Sequence, residues 1–216
     1  MPLPAWTYSQ LDKFETCPKQ FYHLRVAKDV VDPPSEHSMW GERVHKAFEQ
    51  YFLEGKPLPE GMTQWSTLAR HIASLKGDRF CEQKLAVDRA FRAAPWKDSW
   101  SRGIADFVLV NNKKAIVLDF KTGKKKPSEQ LMLYAGYAFA HYDVTQVQTG
   151  YVWLKERKIS KATYHKDAVD KIWLPFVERS NRLTAAYELS QWPARPSGLC
   201  NGWCPVKQCS FYKEKR

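Results

Sequence analysis

The sequence predicts an α/β fold, a central mixed β-sheet flanked by helices. Three observations predict it. The runs S-R-G-I-A-D-F-V-L-V (101–110) and A-I-V-L-D-F-K (115–121) are apolar and joined by the polar link N-N-K-K, which reads as a β-hairpin. Before it, R-F-C-E-Q-K-L-A-V alternates in strand fashion. Stretches with helical periodicity stand on both sides of these strands.

In chain order, T-Y-S-Q-L-D-K-F-E-T (7–16) reads as a short amphipathic helix. Pro18 should break or restart it, with Phe21 and Leu24 continuing the apolar face. A longer helix begins at Ser35 as N-cap and stops at Gly55, with Trp40, Val44, Phe48, Tyr51 and Phe52 as its apolar stripe. Gly41, His45 and Glu49 form a second stripe at four-residue spacing. Trp65, Leu68, Ile72 and Leu75 keep helical spacing from Thr63 to Lys76 and end at Gly77. After the hairpin, K-P-S-E-Q-L-M-L-Y-A-G-Y-A-F-A-H-Y opens with Pro127 and Ser128 as a helix start. A strand is expected over 148–155, a short one over 162–165, and a helix over 167–189, where Pro175 should interrupt or delay the start. Pro193 and Pro196 then lead into a cysteine-rich end.

Charged residues cluster where these strands end. Asp119 and Lys121 lie one residue apart after an apolar run, so both point to the same face. Asp106 sits on the preceding strand, with Gly103 clearing a close approach to it, and the hairpin brings Asp106 and Asp119 to one end of the sheet. Glu82 lies on the strand before. Three acids meeting beside a lysine would repel one another, and a bound cation resolves the conflict. On the helix, His45 supplies an imidazole that Glu49 can orient from one turn away. Gln130 and Tyr134, one turn apart on the later helix, face back toward the D-x-K strand.

The order G-x-x-x-H-x-x-x-E, strand Glu, G-x-x-D, D-x-K and Q-x-x-x-Y runs from Gly41 to Tyr134. It resembles the RecB-type branch of the PD-(D/E)XK nucleases. The resemblance implies a restriction-endonuclease-like core. His45, Asp106, Asp119 and the backbone carbonyl of Phe120 would hold Mg²⁺ or Mn²⁺, with Glu82 at the metal directly or through water. Lys121 would be the catalytic lysine, and Gln130 and Tyr134 would brace the site and the bound strand. The expected activity is a metal-dependent deoxyribonuclease, an exonuclease on single strands or duplex ends, acting in recombination, repair or mobile-element DNA processing. An imidazole ligand leans the choice of ion toward Mn²⁺. The alternatives are a non-catalytic DNA-binding module on the same fold, against which the intact D-x-K stands, and a zinc-stabilised RNA-binding or RNase domain.

Cysteines carry a separate expectation. Of the five, Cys200, Cys204 and Cys209 are clustered, Cys17 is distant, and Cys81 falls inside a strand as packing. With no signal peptide and no membrane-length apolar run, a cytoplasmic location is expected, where clustered thiols read as metal ligands. Nucleases of the AddB-like and CRISPR-associated RecB-like kinds look similar, closing their domain on a [4Fe–4S] cluster with one N-terminal and three C-terminal cysteines. That resemblance implies that Cys17, Cys200, Cys204 and Cys209 hold such a cluster. The triplet here is C-x3-C-x4-C, where the common one is C-x2-C-x5-C, and Zn²⁺ is the alternative occupant.

The 216 residues fit one nuclease domain, with catalytic motifs over 41–134 and the cysteine site at 17 and 200–209. Apolar residues make up 44%, enough for a sizeable core. A net charge of +11 favours a polyanionic partner, here DNA. Lys124, Lys125 and Lys126 follow the D-x-K strand and read as part of its DNA-binding groove. Trp153, Trp173 or Trp203 is expected to stack a base. No helicase motif is present, so the nuclease is expected to stand alone or to work with a separate motor or recombination partner.

Overall fold

The computed structural model describes residues 4–125 and 128–214. The chain divides into two compact units, Ser35–Phe176 and Met1–Pro34 together with Val177–Arg216. Its helices are α1 (Tyr8–Thr16), α2 (Pro18–Phe21), α3 (Glu36–Glu54), α4 (Ser66–Ala73), α5 (Gln130–His141) and α6 (Val169–Leu189). The strands are β1 (Asp78–Val87), β2 (Ser101–Asn111), β3 (Lys114–Lys121), β4 (Gln146–Trp153) and β5 (Lys158–His165).

The strands form one sheet in the order β1-β2-β3-β4-β5. Neighbours are antiparallel except β3 and β4, which run parallel with α5 as the crossover between them. A parallel pair needs such a crossover because a tight turn only reverses the chain. The expected mixed sheet flanked by helices is therefore present.

Alternation along β3 separates the two helical layers. Leu118 and Phe120 enter the core built with α3, whereas Lys121 reaches Gln130 of α5. So α3 and α5 cover opposite faces. Phe48 of α3 stacks on Phe120 at 4.4 Å between ring centroids, and Phe52 lies 4.9 Å from Phe107. These contacts fix the rotation of α3 about its axis. Its ends are as expected: the Ser35 side chain accepts the Ser38 N–H, and Gly55 closes the helix at φ 69°.

Two element expectations change. The 63–76 stretch is a 3₁₀ turn, Thr63–Trp65, followed by the shorter α4. Pro175 does not interrupt its helix; it lies inside α6. The missing N–H would have bonded the carbonyl of Lys171, which is exposed, so solvent can take that acceptor. Trp173 and Phe176 on either side are fully buried, and their packing outweighs the lost bond.

In the other unit, α1 starts with a capping box between Thr7 and Gln10. The Arg179 guanidinium holds the Glu15 carboxylate, the Lys19 N–H donates to the Pro193 carbonyl at 3.2 Å, and the Phe21 ring stacks on Trp192. The two ends of the chain thus share one unit.

Gly103 has a different purpose from the one expected. A Cβ there would lie 2.8 Å from Tyr134 Cε1 and 3.1 Å from Tyr137 Cε2, so the glycine admits two α5 rings against β2. Both tyrosines are buried, and Tyr137 shares a 2.6 Å hydrogen bond with Ser101. Gly103→Ala should therefore overpack this face and cost about 1–3 kcal/mol. A urea midpoint equal to that of the parent protein would show that α5 can yield.

Candidate active site

The ladder between β2 and β3 ends at Phe107↔Leu118. Beyond it, the Phe120 N–H has no strand partner on that side, and Asp106 Oδ2 accepts it at 2.7 Å. The other carboxylate oxygen of Asp106 lies 3.3 Å from His45 Nδ1. His45 Nε2 in turn stands 2.7 Å from the Phe120 carbonyl oxygen. The Phe48–Phe120 stack accounts for this placement, since His45 lies one turn before Phe48 on α3.

Glu82 completes the group. Ligand atoms of His45, Glu82 and Asp106 all lie within 4.8 Å of one another, the only such set among the described residues. The β1–β2 pairing passes from Cys81↔Phe107 to Gln83↔Ala105, which sets Glu82 across from Asp106 without a ladder pair. Glu82 adopts φ 47°, a conformation that costs free energy in a non-glycine residue. The strand turns its face there, and Glu82 joins Gly41, His45 and Glu49 around an open cleft of about 500 Å³.

Asp119 lies on the opposite face of β3 from Phe120 and is 2% exposed. Lys121 Nζ is 2.6 Å from its Oδ2 without hydrogen-bond alignment, so charge rather than a directed bond partners that buried oxygen. Gln130 Oε1 accepts from Lys121 Nζ at 3.4 Å, and Gln130 Nε2 donates to the Tyr134 hydroxyl at 3.0 Å. The Tyr134 hydroxyl donates in turn to the Ile104 carbonyl at 2.7 Å. This chain ties the lysine to β2, as the facing of Gln130 and Tyr134 suggested.

Electrostatics reflect crowding. Burial and the Asp106 charge raise the Asp119 carboxyl to about 6, against the pull of Lys121. Glu82 is raised by burial and then by Asp106. Burial works to lower His45, but hydrogen bonding and charge from Asp106, with the Phe120 carbonyl, carry it up to about 9. A neutral imidazole carries one N–H but faces two acceptors, Asp106 Oδ1 and the Phe120 carbonyl, so one ring nitrogen would turn a lone pair toward an oxygen. A second proton or a divalent cation removes that conflict. The donor set of imidazole, carboxylates and carbonyl suits Mg²⁺ or Mn²⁺, with the nitrogen favouring Mn²⁺.

Several sequence expectations need correction. Glu49 does not orient His45; both ring nitrogens are engaged elsewhere, and Glu49 pairs with Lys46 at 2.7 Å. Trp153 and Trp173 are buried at 3% and 1%, so neither can stack a base, whereas Trp203 is exposed. Lys124 and Lys125 are exposed beyond β3, and the Lys125 N–H donates to Glu156. Lys126 and Pro127 lie outside the described residues, and α5 starts at Gln130.

Among the described residues, the four cysteines expected at one centre do not make a close ligand group. Cys17, Cys200, Cys204 and Cys209 are half-buried free thiols in one unit, but their sulfurs are not drawn together as the His45 group is. Cys17 Sγ accepts from the Arg195 N–H and Cys204 Sγ from Gln20. Thiols have no mutual attraction that would gather four of them without an ion. Cys81 takes no part, and burial pushes its thiol up to about 12.

Sequence reasoning missed Tyr151. It pairs with Asp119 across β3 and β4, its ring lies 5.5 Å from Lys121 Nζ, and its hydroxyl donates to Ser128. Only the register of a parallel pair reveals this neighbour.

No curated protein matches the sequence. Among the solved structures that share the fold are these two. One is SSO0001, at TM-score 0.51 and 16% identity, covering 99% of this chain and 90% of the other. The second is a candidate exonuclease from Eubacterium rectale, at TM-score 0.53 and 10% identity, covering 96% and 86%. The sequence profile of the PD-(D/E)XK nuclease superfamily matches residues 5–209, all but the extreme ends. With the acidic group, the D-x-K strand and the mixed sheet already in place, the chain belongs to the PD-(D/E)XK nuclease superfamily.

Proposed function

We propose that this protein is a RecB-type, divalent-metal-dependent DNA nuclease, a single nuclease domain that works as an exonuclease on single strands or duplex ends. The observation that carries the proposal is the convergence of His45, Glu82, Asp106 and the Phe120 carbonyl beside a buried Asp119–Lys121 pair. His45, Asp106, Asp119 and Phe120 would hold the ion, and Glu82 would meet it directly or through water. When bound, Mg²⁺ or Mn²⁺ supplies an acidified water and charge stabilisation at the phosphate.

The chain's own residues do the rest. Asp119 and Gln130 hold the Lys121 ammonium, where it can donate to a phosphate oxygen or orient the attacking water. Tyr134 locks Gln130 against β2, so the lysine is placed before substrate arrives. Asp106 accepts the Phe120 N–H and His45 meets the Phe120 carbonyl, so the backbone is fixed on either side of this residue and the carbonyl is aimed into the site. In a cell the partner would be a separate helicase or recombination protein in the cytoplasm. Among the described residues no helix is long and apolar enough to cross a membrane.

Asp106→Ala and Asp119→Ala should each reduce cleavage of end-labelled DNA below about one hundredth, with DNA binding retained. Lys121→Ala should be nearly as inactive but still bind Mn²⁺. His45→Ala should raise the Mn²⁺ concentration for half-maximal activity by at least about 10–100-fold. Full activity of Asp119→Ala, or of the parent protein in excess EDTA, would falsify the assignment. Circular single-stranded DNA separates the modes, since an exonuclease leaves it intact.

Lys124, Lys125 and Lys126 are proposed to bind backbone phosphates. Replacing all three with alanine should weaken DNA binding regardless of sequence. It should also flatten the log–log salt slope by about 0.7–0.9 for each phosphate no longer neutralised. An unchanged slope returns the run to a solvated loop.

A [4Fe–4S] cluster on Cys17, Cys200, Cys204 and Cys209, with Zn²⁺ as alternative, is the proposed occupant of the unit holding both chain ends. The support is that all four thiols lie in that unit, with Cys204 already against Gln20 of α2. Closing a loop of nearly the whole chain, the centre should stabilise the fold rather than drive the chemistry. Anaerobically purified protein should then be brown, or colourless with one zinc, and Cys17→Ala should lose metal and thermal stability together. Protein carrying neither iron nor zinc would end this reading.

A further inference from the structure

The same face of the β1–β2 ribbon that presents the metal group also carries a cationic aromatic cluster. Ser101 and Gly103 meet α5, so Arg102 and Ile104 point to the α3 face, as does Asp106 toward His45. Lys84 pairs with Ile104 across the ladder, two residues from Glu82. Along β2, Ile104 and Arg102 lie two and four residues from Asp106, about 7 and 13 Å at ordinary strand rise.

A short loop brings Trp96 onto this row. Ala93 bridges Val87, and the Ala94 N–H donates to the Ala86 carbonyl, which turns the chain back along β1. The Trp96 ring then lies 4.9 Å from the Arg102 guanidinium and 5.7 Å from Lys84 Nζ, both within cation–π range. Arg102 also donates to the Trp96 carbonyl at 2.9 Å, which fixes the indole's backbone.

Two cations at one ring repel each other, and among the described residues no ion pair joins either to an acid. Holding the loop needs only Arg102, which bonds the Trp96 carbonyl and meets its ring, and the exposed Lys84 adds no more than a weak cation–π contact. An anion placed between them removes the repulsion, and the half-buried indole beside it offers the part of its ring that stays exposed. Ile104, 39% exposed, provides an apolar step between this cluster and Asp106.

We propose that Trp96, Lys84 and Arg102 form the seat for the nucleotides next to the scissile phosphate of a single-stranded DNA. A base stacks on Trp96 and its phosphates meet the two cations. The proposal rests on the nuclease reading of the His45 site and supplies its substrate form. A duplex keeps its bases stacked within the helix and cannot give one to Trp96, so the seat selects unpaired ends.

The test measures binding in EDTA, where nothing is cleaved, using a fluorescent single-stranded oligonucleotide and its duplex. Trp96→Leu, which keeps an apolar body against the loop, should weaken single-strand affinity by about 5–150-fold, the range for one stacked base. Lys84→Gln, at an exposed position, should lower the salt slope by about 0.7 and leave the melting temperature unchanged. Duplex affinity should change less than single-strand affinity in Trp96→Leu. Unchanged single-strand affinity in both folded variants overturns the proposal, and so does equal weakening on single strand and duplex. Absence of metal-dependent cleavage in the parent protein would instead overturn the nuclease reading, since binding in EDTA reports on the seat alone.

Discussion

The site depends on the point where the β2–β3 ladder stops. Up to Phe107↔Leu118 the strands satisfy each other's backbone; at Phe120 the donor passes to the carboxylate of Asp106. One substitution of a side chain for a strand partner has three consequences. It holds Asp106 in place, it leaves the Phe120 carbonyl facing His45, and it releases Asp119 and Lys121 from pairing with β2. β4 continues alongside, so β3 stays straight to Lys121 while its other edge becomes chemical. A half-buried hydrogen bond from a backbone N–H to a carboxylate is among the stronger ones, which suits it to this position.

Aromatic packing then decides which α3 residue meets that edge. The Phe48–Phe120 stack and the Phe52–Phe107 contact set the rotation of the helix, and His45 follows from it. Glu49, one turn further on, lines the same cleft but is paired with Lys46, while both nitrogens of the His45 ring are taken by Asp106 and the Phe120 carbonyl. Packing and chemistry are therefore coupled, and a core change at Phe48 would act on the metal group without touching it.

Much of this was legible in the sequence, for physical reasons that differ by residue. Alternation along β3 placed Asp119 and Lys121 on one face, and the hairpin link placed Asp106 nearby, because both follow from local geometry. Gln130 and Tyr134 were readable from their one-turn spacing. Glu82 was found by type, but its left-handed backbone and the turn of strand face were not, since no glycine or bulge signal marks the position. Gly103 was read as room for Asp106, whereas its space is filled by rings from α5, an arrangement set only by how the helix packs on the sheet. Trp96 was overlooked because its partners come from β1 and β2 through a loop that pairs back on the ribbon. The cysteines show a further limit: spacing can imply a ligand set, but only a bound ion supplies the force that gathers it.

Charge makes sense of the division of labour around the cleft. The chain carries a net +11, yet its centre collects Glu82, Asp106 and Asp119 on either side of β3. Lone acids there would repel DNA; burial first, and the Asp106 charge second, raise the carboxyls of Asp119 and Glu82. Lys121 answers it from within, fixed by Gln130 and Tyr134. Cations answer it from outside, with exposed Lys84 and half-buried Arg102 along the ribbon and exposed Lys124 and Lys125 past β3. A divalent cation would turn the acidic centre from a barrier into an attraction. On the proposed reading, lysines and arginine at the periphery would draw the phosphate backbone and the centre would accept it only with the metal present, so binding and cleavage would answer to different residues.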